Sequence, residues 1–236
     1  MINNKIVKLR LMIAALLYVL TMASCGKQSS NSPLGLNIQY QVLNLSPDLF
    51  PVNLYVDTKP VNSLGNPFVY NINHGYFYVP SVDTPYQVRT ALVSGATLFS
   101  RDDVLKSGLK YTLFITGANG DHSLAEIFTV DTASAPAIGR GKIRFVNASP
   151  TAVAGLDVSA NGTQAFSKIL YKGVSKYMEL PIGNYDFQIN ATGSTSILKE
   201  LPAITIQDGR LYTLFSYGYT NRVDTAAFNV AVLTNK

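Results

Sequence analysis

The sequence predicts an all-β protein: two tandem copies of one β-sandwich domain behind an N-terminal export signal. Three observations carry this. Gly108-Leu109-Lys110-Tyr111-Thr112-Leu113-Phe114 returns as Gly209-Arg210-Leu211-Tyr212-Thr213-Leu214-Phe215. After residue 35, short runs of apolar residues alternate with period two between Gly, Pro, Asn and Ser clusters, the pattern of a sandwich with about seven strands per copy. No stretch beyond the signal keeps a helical period.

The chain opens with Lys5, Lys8 and Arg10, then an apolar run from Leu11 to Leu20, then Thr21-Met22-Ala23-Ser24-Cys25. The apolar core is about half of the roughly 20 residues a membrane-crossing helix needs, and small residues follow it at once. Residues 1–24 therefore read as a cleavable signal. Met22-Ala23-Ser24-Cys25 resembles the bacterial lipobox, which implies that Cys25 is the lipidation site, becomes the first mature residue and ties the chain to the membrane. Cys25 is the only cysteine, so stability must come from burial and not from disulfides. Residues 25–35 are small and polar, a flexible tether. The expected location is the cell envelope, in the outer membrane. The tether lacks the acidic cluster of surface-directed Bacteroidetes-type lipoproteins, so periplasmic and surface faces both stay open.

Net charge excludes nucleic acid as a partner. The formal +5 includes three cations of the signal; residues 27–135 carry six Lys and Arg against eight Asp and Glu, and residues 136–236 carry ten against six. Neither half has the clustered basic face that grips a phosphate backbone. Lys168, Lys172 and Lys176 read as solvated edge lysines that discourage aggregation.

In order, the first copy opens with Leu36-Asn37-Ile38-Gln39-Tyr40-Gln41-Val42-Leu43-Asn44-Leu45-Ser46-Pro47. The second opens with Gly141-Lys142-Ile143-Arg144-Phe145-Val146-Asn147-Ala148-Ser149-Pro150. Both strands stop at Asn-x-Ser-Pro, because proline cannot donate to a ladder and Asn and Ser favour turns. Residues 52–57 and 155–160 alternate again, and Asn161-Gly162 signals a hairpin. Residues 70–80 align without gaps with 171–181. Phe77 and Val79 match Met178 and Leu180, apolar in both, which sets them inward; Tyr76 and Tyr78 match Tyr177 and Glu179 and are set outward. A strand through Tyr86-Gln87-Val88 matches one through residues 184–189. A further short strand, the repeated run and closing strands at 124–130 and 226–233 complete each copy. Residues 36–131 thus form the first domain, 132–141 a small-residue, proline-containing linker, and 142–236 the second domain.

Gly-x-x-Tyr in the repeated run resembles the tyrosine corner of immunoglobulin-like domains, in which a Tyr hydroxyl ties down backbone between sheets. Gly108, Tyr111, Gly209 and Tyr212 are its candidates, and the sandwiches are expected to be immunoglobulin-like. Val146-Asn147-Ala148-Ser149-Pro150, Leu180-Pro181-Ile182-Gly183-Asn184-Tyr185 and Gly209-Arg210-Leu211-Tyr212-Thr213 are similar to hallmarks of an uncharacterised bacterial extracellular domain, a domain of unknown function found in lipoproteins, often in tandem. The second copy fits throughout. The first departs, with Leu45 in place of Ala and no hairpin glycine in Ser81-Val82-Asp83-Thr84-Pro85. The resemblance implies an immunoglobulin-like fold and no established activity.

Chemistry is sparse. His74 and His122 sit at turn tips, and with Cys25 acylated no three or four ligands converge as zinc requires. Asp102 and Asp103 are neighbours on a strand and point apart. Asn119-Gly120-Asp121 lacks the spacing of a calcium loop, and there is no Gly-x-Ser-x-Gly elbow or phosphate loop. No catalytic, cofactor or metal site is expected. Phe68, Tyr70, Tyr76 and Tyr78 are a candidate aromatic patch for glycan or protein contact, or are covered by the other domain or a loop. Asp131-Thr132-Ala133 and Asp224-Thr225-Ala226 resemble the Asp-Thr-small pattern of O-glycosylation in Bacteroidetes-type exported proteins, with Thr132 and Thr225 as acceptors. The expectation is a non-enzymatic, membrane-anchored binding or adhesion module, with a subunit of a surface fibre joined by strand complementation as the alternative.

Overall fold

Period-two alternation without helical runs leaves each segment one way to bury its apolar side, as a strand in a layered sheet. The computed structural model describes residues 36–93 and 95–235; the signal, Cys25 and the tether lie outside them. Among the described residues there are sixteen strands and no helix. The first half contributes β1 (Asn37–Asn44), β2 (Val52–Val56), β3 (Lys59–Pro60), β4 (Phe77–Pro80), β5 (Tyr86–Thr90), β6 (Thr97–Arg101), β7 (Lys110–Thr116) and β8 (Ala125–Val130). The second repeats the series as β9 (Arg140–Asn147), β10 (Leu156–Ala160), β11 (Thr163–Ile169), β12 (Met178–Pro181), β13 (Gly183–Ala191), β14 (Ile197–Ile206), β15 (Leu211–Tyr217) and β16 (Asn229–Thr234).

Each half is a sandwich of two four-stranded sheets with the same strand order. β4-β1-β7-β8 lies over β3-β2-β5-β6, and β12-β9-β15-β16 over β11-β10-β13-β14. β1 is parallel to β7, with Leu43 opposite Phe114, and β9 is parallel to β15, with Val146 opposite Phe215. Val42, Leu54, Phe68, Val88, Leu113 and Ile115 fill the first sandwich; Phe145, Leu156, Phe187, Ile189 and Leu214 fill the second. Phe77, Val79, Met178 and Leu180 face these cores, as expected.

Eight strands stand in each half because β3 and β11 fold back along β2 and β10 through two-residue turns. Asn161 and Gly162 take φ of 48° and 76°, the left-handed pair that a tight hairpin needs. Asp57 and Thr58 adopt the same conformation, at 45° and 67°, with no glycine to announce it. Gly108 and Gly209 stand before β7 and β15 at φ +77° and +72°, with open space where a side chain would begin, so the backbone angle and not crowding calls for glycine. The Tyr111 hydroxyl accepts the N–H of Lys106 at 3.0 Å, and the Tyr212 hydroxyl accepts that of Gln207 at 3.1 Å. Each hydroxyl ties the loop before a strand to the strand itself.

The halves meet through their inner sheets. Leu43, Leu45, Phe114 and Ile127 form a third apolar cluster with Val146, Ala148, Phe215, Tyr217 and Leu233, and the rings of Phe114 and Phe215 lie 5.5 Å apart. β1, β7, β9 and β15 are accordingly buried on both faces over most of their length. Both halves belong to one compact unit. The segment between them, from Thr132 to Gly139, is largely exposed.

Candidate functional site

Tyr111 and Leu113 point into a sandwich core, so Thr112 and Phe114 point the other way, into the seam between the halves, as do Thr213 and Phe215. The two threonines begin a polar network there. Asp131, fully buried after β8, accepts from the hydroxyls of Thr112, Thr129 (2.8 Å) and Tyr76 (2.8 Å) and pairs with the Arg144 guanidinium. Arg144 also donates to Thr213 Oγ1 (2.9 Å) and the Val130 carbonyl (2.8 Å), and lies 4.9 Å from the centre of the Tyr177 ring. Strand register makes Asn235 the counterpart of Asp131, and Gln41 that of Arg144. Asn235 accepts from Thr213 (2.7 Å) and donates to the Tyr76 hydroxyl (2.8 Å). The network is two-fold in shape and one-sided in charge. Burial first, and the neighbouring Asp131 charge second, hold the Tyr76 phenol protonated far above its usual range.

Of the two alternatives for the four aromatics, an exposed patch or cover by the other domain or a loop, the structure favours cover for all but Tyr78. Tyr76 is set away from its own core, as expected, but the second half covers it. The Tyr70 hydroxyl reaches the Thr225 carbonyl of the second half at 3.3 Å. Phe68 is fully buried, bridged to Val52 and edge-on to His74 and Phe77 at 5.2 and 5.7 Å. Of the four, Tyr78 alone faces solvent, at 76% exposure, so they do not form one surface. Thr132 and Thr225 are exposed, but the Thr132 hydroxyl accepts the Lys110 N–H (2.9 Å) and the preceding Asp131 is locked in the seam. Asp224 pairs with Arg222. Cys25 lies outside the described residues. His122 is exposed, while His74 Nε2 is buried without a partner. Among the described residues, no three His, Cys, Asp or Glu side chains converge on a cation site.

The arrangement best suited to a ligand is one the sequence reading missed. Val52, Leu54 and Val88 face the core, so Asn53 and Tyr55 on β2 and Gln87 and Arg89 on β5 share the outer face of the first half. There Asn53 stands opposite Arg89 and Tyr55 opposite Gln87. A cleft of about 410 Å³ opens between this face, Leu64, and the Ala91–Val93 turn after β5, with Leu64 and Val93 exposed at its rim. Arg89 lies 4.6 Å over the Tyr55 ring, and its Nε and Nη2 both donate to Gln87 Oε1. It meets no carboxylate; among the described residues, the other arginines without one, Arg140 and Arg210, are exposed, whereas Arg89 is half-buried. Thr90, 8% exposed at the cleft wall, keeps its hydroxyl unpartnered. The signal lay in the copies: the second half has Ser159 and Asn190 where the first has Tyr55 and Arg89, so this pair is peculiar to one face.

Comparison with known proteins follows the duplication. The family model described as Domain of unknown function (DUF4397) matches residues 39–154 and again residues 151–235. No curated protein matches the sequence. Among solved structures, the chain is similar to a "putative cell adhesion protein" from Bacteroides ovatus ATCC 8483, at 9% identity over 85% of this chain and 97% of that one. The TM-score is 0.21, a likeness too slight to argue from.

Proposed function

We propose, from the premise that the chain belongs to the family described as Domain of unknown function (DUF4397), that it is a non-enzymatic, lipid-anchored binding or adhesion module of the bacterial cell envelope. The observation that carries the binding role is the outer-face cleft, where a half-buried arginine lacks a counter-charge that the fold could have supplied. Among the described residues neither histidine meets a hydroxyl or carboxylate, which favours binding over nucleophilic or acid–base catalysis. Cys25 supplies the anchor in the outer membrane, and residues 25–35 serve as its tether. Labelled palmitate should enter the wild type and not Cys25→Ala, which should also leave the membrane fraction. For the binding role, immobilised glycans and peptides are probed with the wild-type chain and with Arg89→Ala. Ligands that only the wild type retains support the cleft, and equal retention refutes it.

A second reading, a fibre subunit joined by strand complementation, is favoured by an apolar cleft of about 240 Å³ lined by Ala160, Ala165, Met178, Leu180 and Tyr185. It opens between β11 and β12, each the edge strand of its sheet. A neighbour's strand could pair there and seat one apolar side chain. Heat-resistant polymers that lengthen with concentration would support it; a monomer throughout would dismiss it.

A further inference from the structure

The free polar groups of the outer-face cleft can all donate. The backbone N–H of Leu54 donates to Asn62 Oδ1 at 2.9 Å, which fixes that amide's orientation. Asn62 Nδ2 then donates to Asn53 Oδ1 at 2.8 Å, so what Asn53 has left is its NH2 group. Gln87 is used up in the same way: its Oε1 takes two bonds from Arg89, and its Nε2 donates to Ser100 at 3.3 Å. Among the described residues, Arg89 Nη1 has no acceptor and the Tyr55 hydroxyl has none either. A cleft whose amide oxygens are engaged and whose free amide, guanidinium and hydroxyl groups can all donate is complementary to a carboxylate.

The setting narrows the molecule that carries it. β2 and β5 are the two central strands of their sheet, so the floor offers no unpaired backbone edge to which a peptide could add as a strand. Recognition must come from side chains. The volume suits one or two rings, and Tyr55, Leu64 and Val93 supply apolar surface beside the donors. We infer that this cleft binds a carboxylate-bearing sugar, a uronic acid unit of an acidic polysaccharide, through Arg89 and Asn53. The inference rests on the cleft being the binding site of the module.

The test uses the wild-type chain, Arg89→Ala and Arg89→Gln, with tetragalacturonate, its fully methyl-esterified form and a glutamate tetrapeptide as probes in calorimetric titrations. The methyl ester keeps the rings and removes the charge. Binding of the acid should be weakened about tenfold or more in both variants, as expected for loss of a charge-assisted pair of hydrogen bonds. Their melting temperatures should match the wild type, because the side chain lies outside the core, and neither the ester nor the peptide should bind. An ester that binds as well as the acid, a peptide that binds better, or a wild type that ignores the acid overturns the ligand class. In that event, loss of immobilised ligands by Arg89→Ala still upholds the cleft. Acid binding that both variants retain overturns the cleft as well.

Discussion

Replacing Asp131 by asparagine keeps the side chain's shape and removes the one negative charge in the seam. The carboxylate accepts from Thr112, Thr129 and Tyr76 in addition to Arg144, and an amide presents an N–H2 to one side of that set, donor against donor. Arg144, 4% exposed, is left as a buried charge without a counter-ion. Breaking such a pair from one side costs about 3–5 kcal/mol, a large fraction of the roughly 5–15 kcal/mol that holds a domain folded. The other side of the seam already runs without an ion pair, on Gln41 and Asn235, with the Lys110 ammonium on the Asn235 carbonyl. Adding Arg144→Gln to Asp131→Asn copies that arrangement, so the double variant should regain most of the loss, with a coupling of about 2 kcal/mol or more. Urea unfolding followed by far-ultraviolet circular dichroism measures this; the chain has no tryptophan to report it by fluorescence. A single variant that loses less than about 1 kcal/mol, or a double variant as weak as the single, would refute the reasoning.

Four further expectations concern the same fold. Tyr212→Phe removes the bond to the Gln207 N–H and should cost about 1 kcal/mol or somewhat more in a urea melt, whereas Tyr78→Ser, on an exposed site, should cost less. Thr58→Gly relieves a β-branched residue held at φ 67° and should stabilise the chain by about 1 kcal/mol, read as a raised melting midpoint. Protease should cut first between Thr132 and Gly139, yet the two fragments should co-elute on gel filtration until denaturant separates them, because the seam joins them without the linker. Desolvation raises Asp157, but the N–H groups of Lys168 and Gly193 and the hydroxyls of Thr192 and Ser167 outweigh it and hold the carboxyl below its usual range. Its contribution is therefore present above about pH 4 and lost as pH falls through the depressed value, so Asp157→Asn should lower stability at neutral pH and flatten the acid limb of the stability curve.

The repeated Gly-x-x-Tyr-Thr-Leu-Phe carried more than its strand pattern disclosed. Tyr and Leu were legible as core because alternation assigns every second residue inward. Alternation also sends Thr112, Phe114, Thr213 and Phe215 to the opposite face, and it cannot say whether that face meets water or protein. The sign was there: a phenylalanine on the outward side in both copies is poorly placed for solvent, and Tyr76 and Tyr177 share one outward position. Setting the copies side by side shows which residues differ between them, but not that each copy is the other's cover, so an exposed patch and a covered one both stay open for Tyr76. The network of Asp131 and Arg144 was hidden for the same reason, since its partners lie on different copies and only the docked seam brings them together.

That arrangement also decides which sheet faces stay free. Both faces of the inner sheets are committed, one to a core and one to the seam, so a substitution there disturbs burial on one side or the other. The outer sheets have one free face each. A search for chemistry shared by the copies passes over them, because a face released from the duplicated seam can diverge without a cost in packing. Tyr55 and Arg89 stand on that released face of the first half, where Ser159 and Asn190 stand in the second. Their divergence meets no packing cost on that face, whereas the seam differences, Asp131 against Asn235 and Arg144 against Gln41, had to be accommodated within one hydrogen-bonded network.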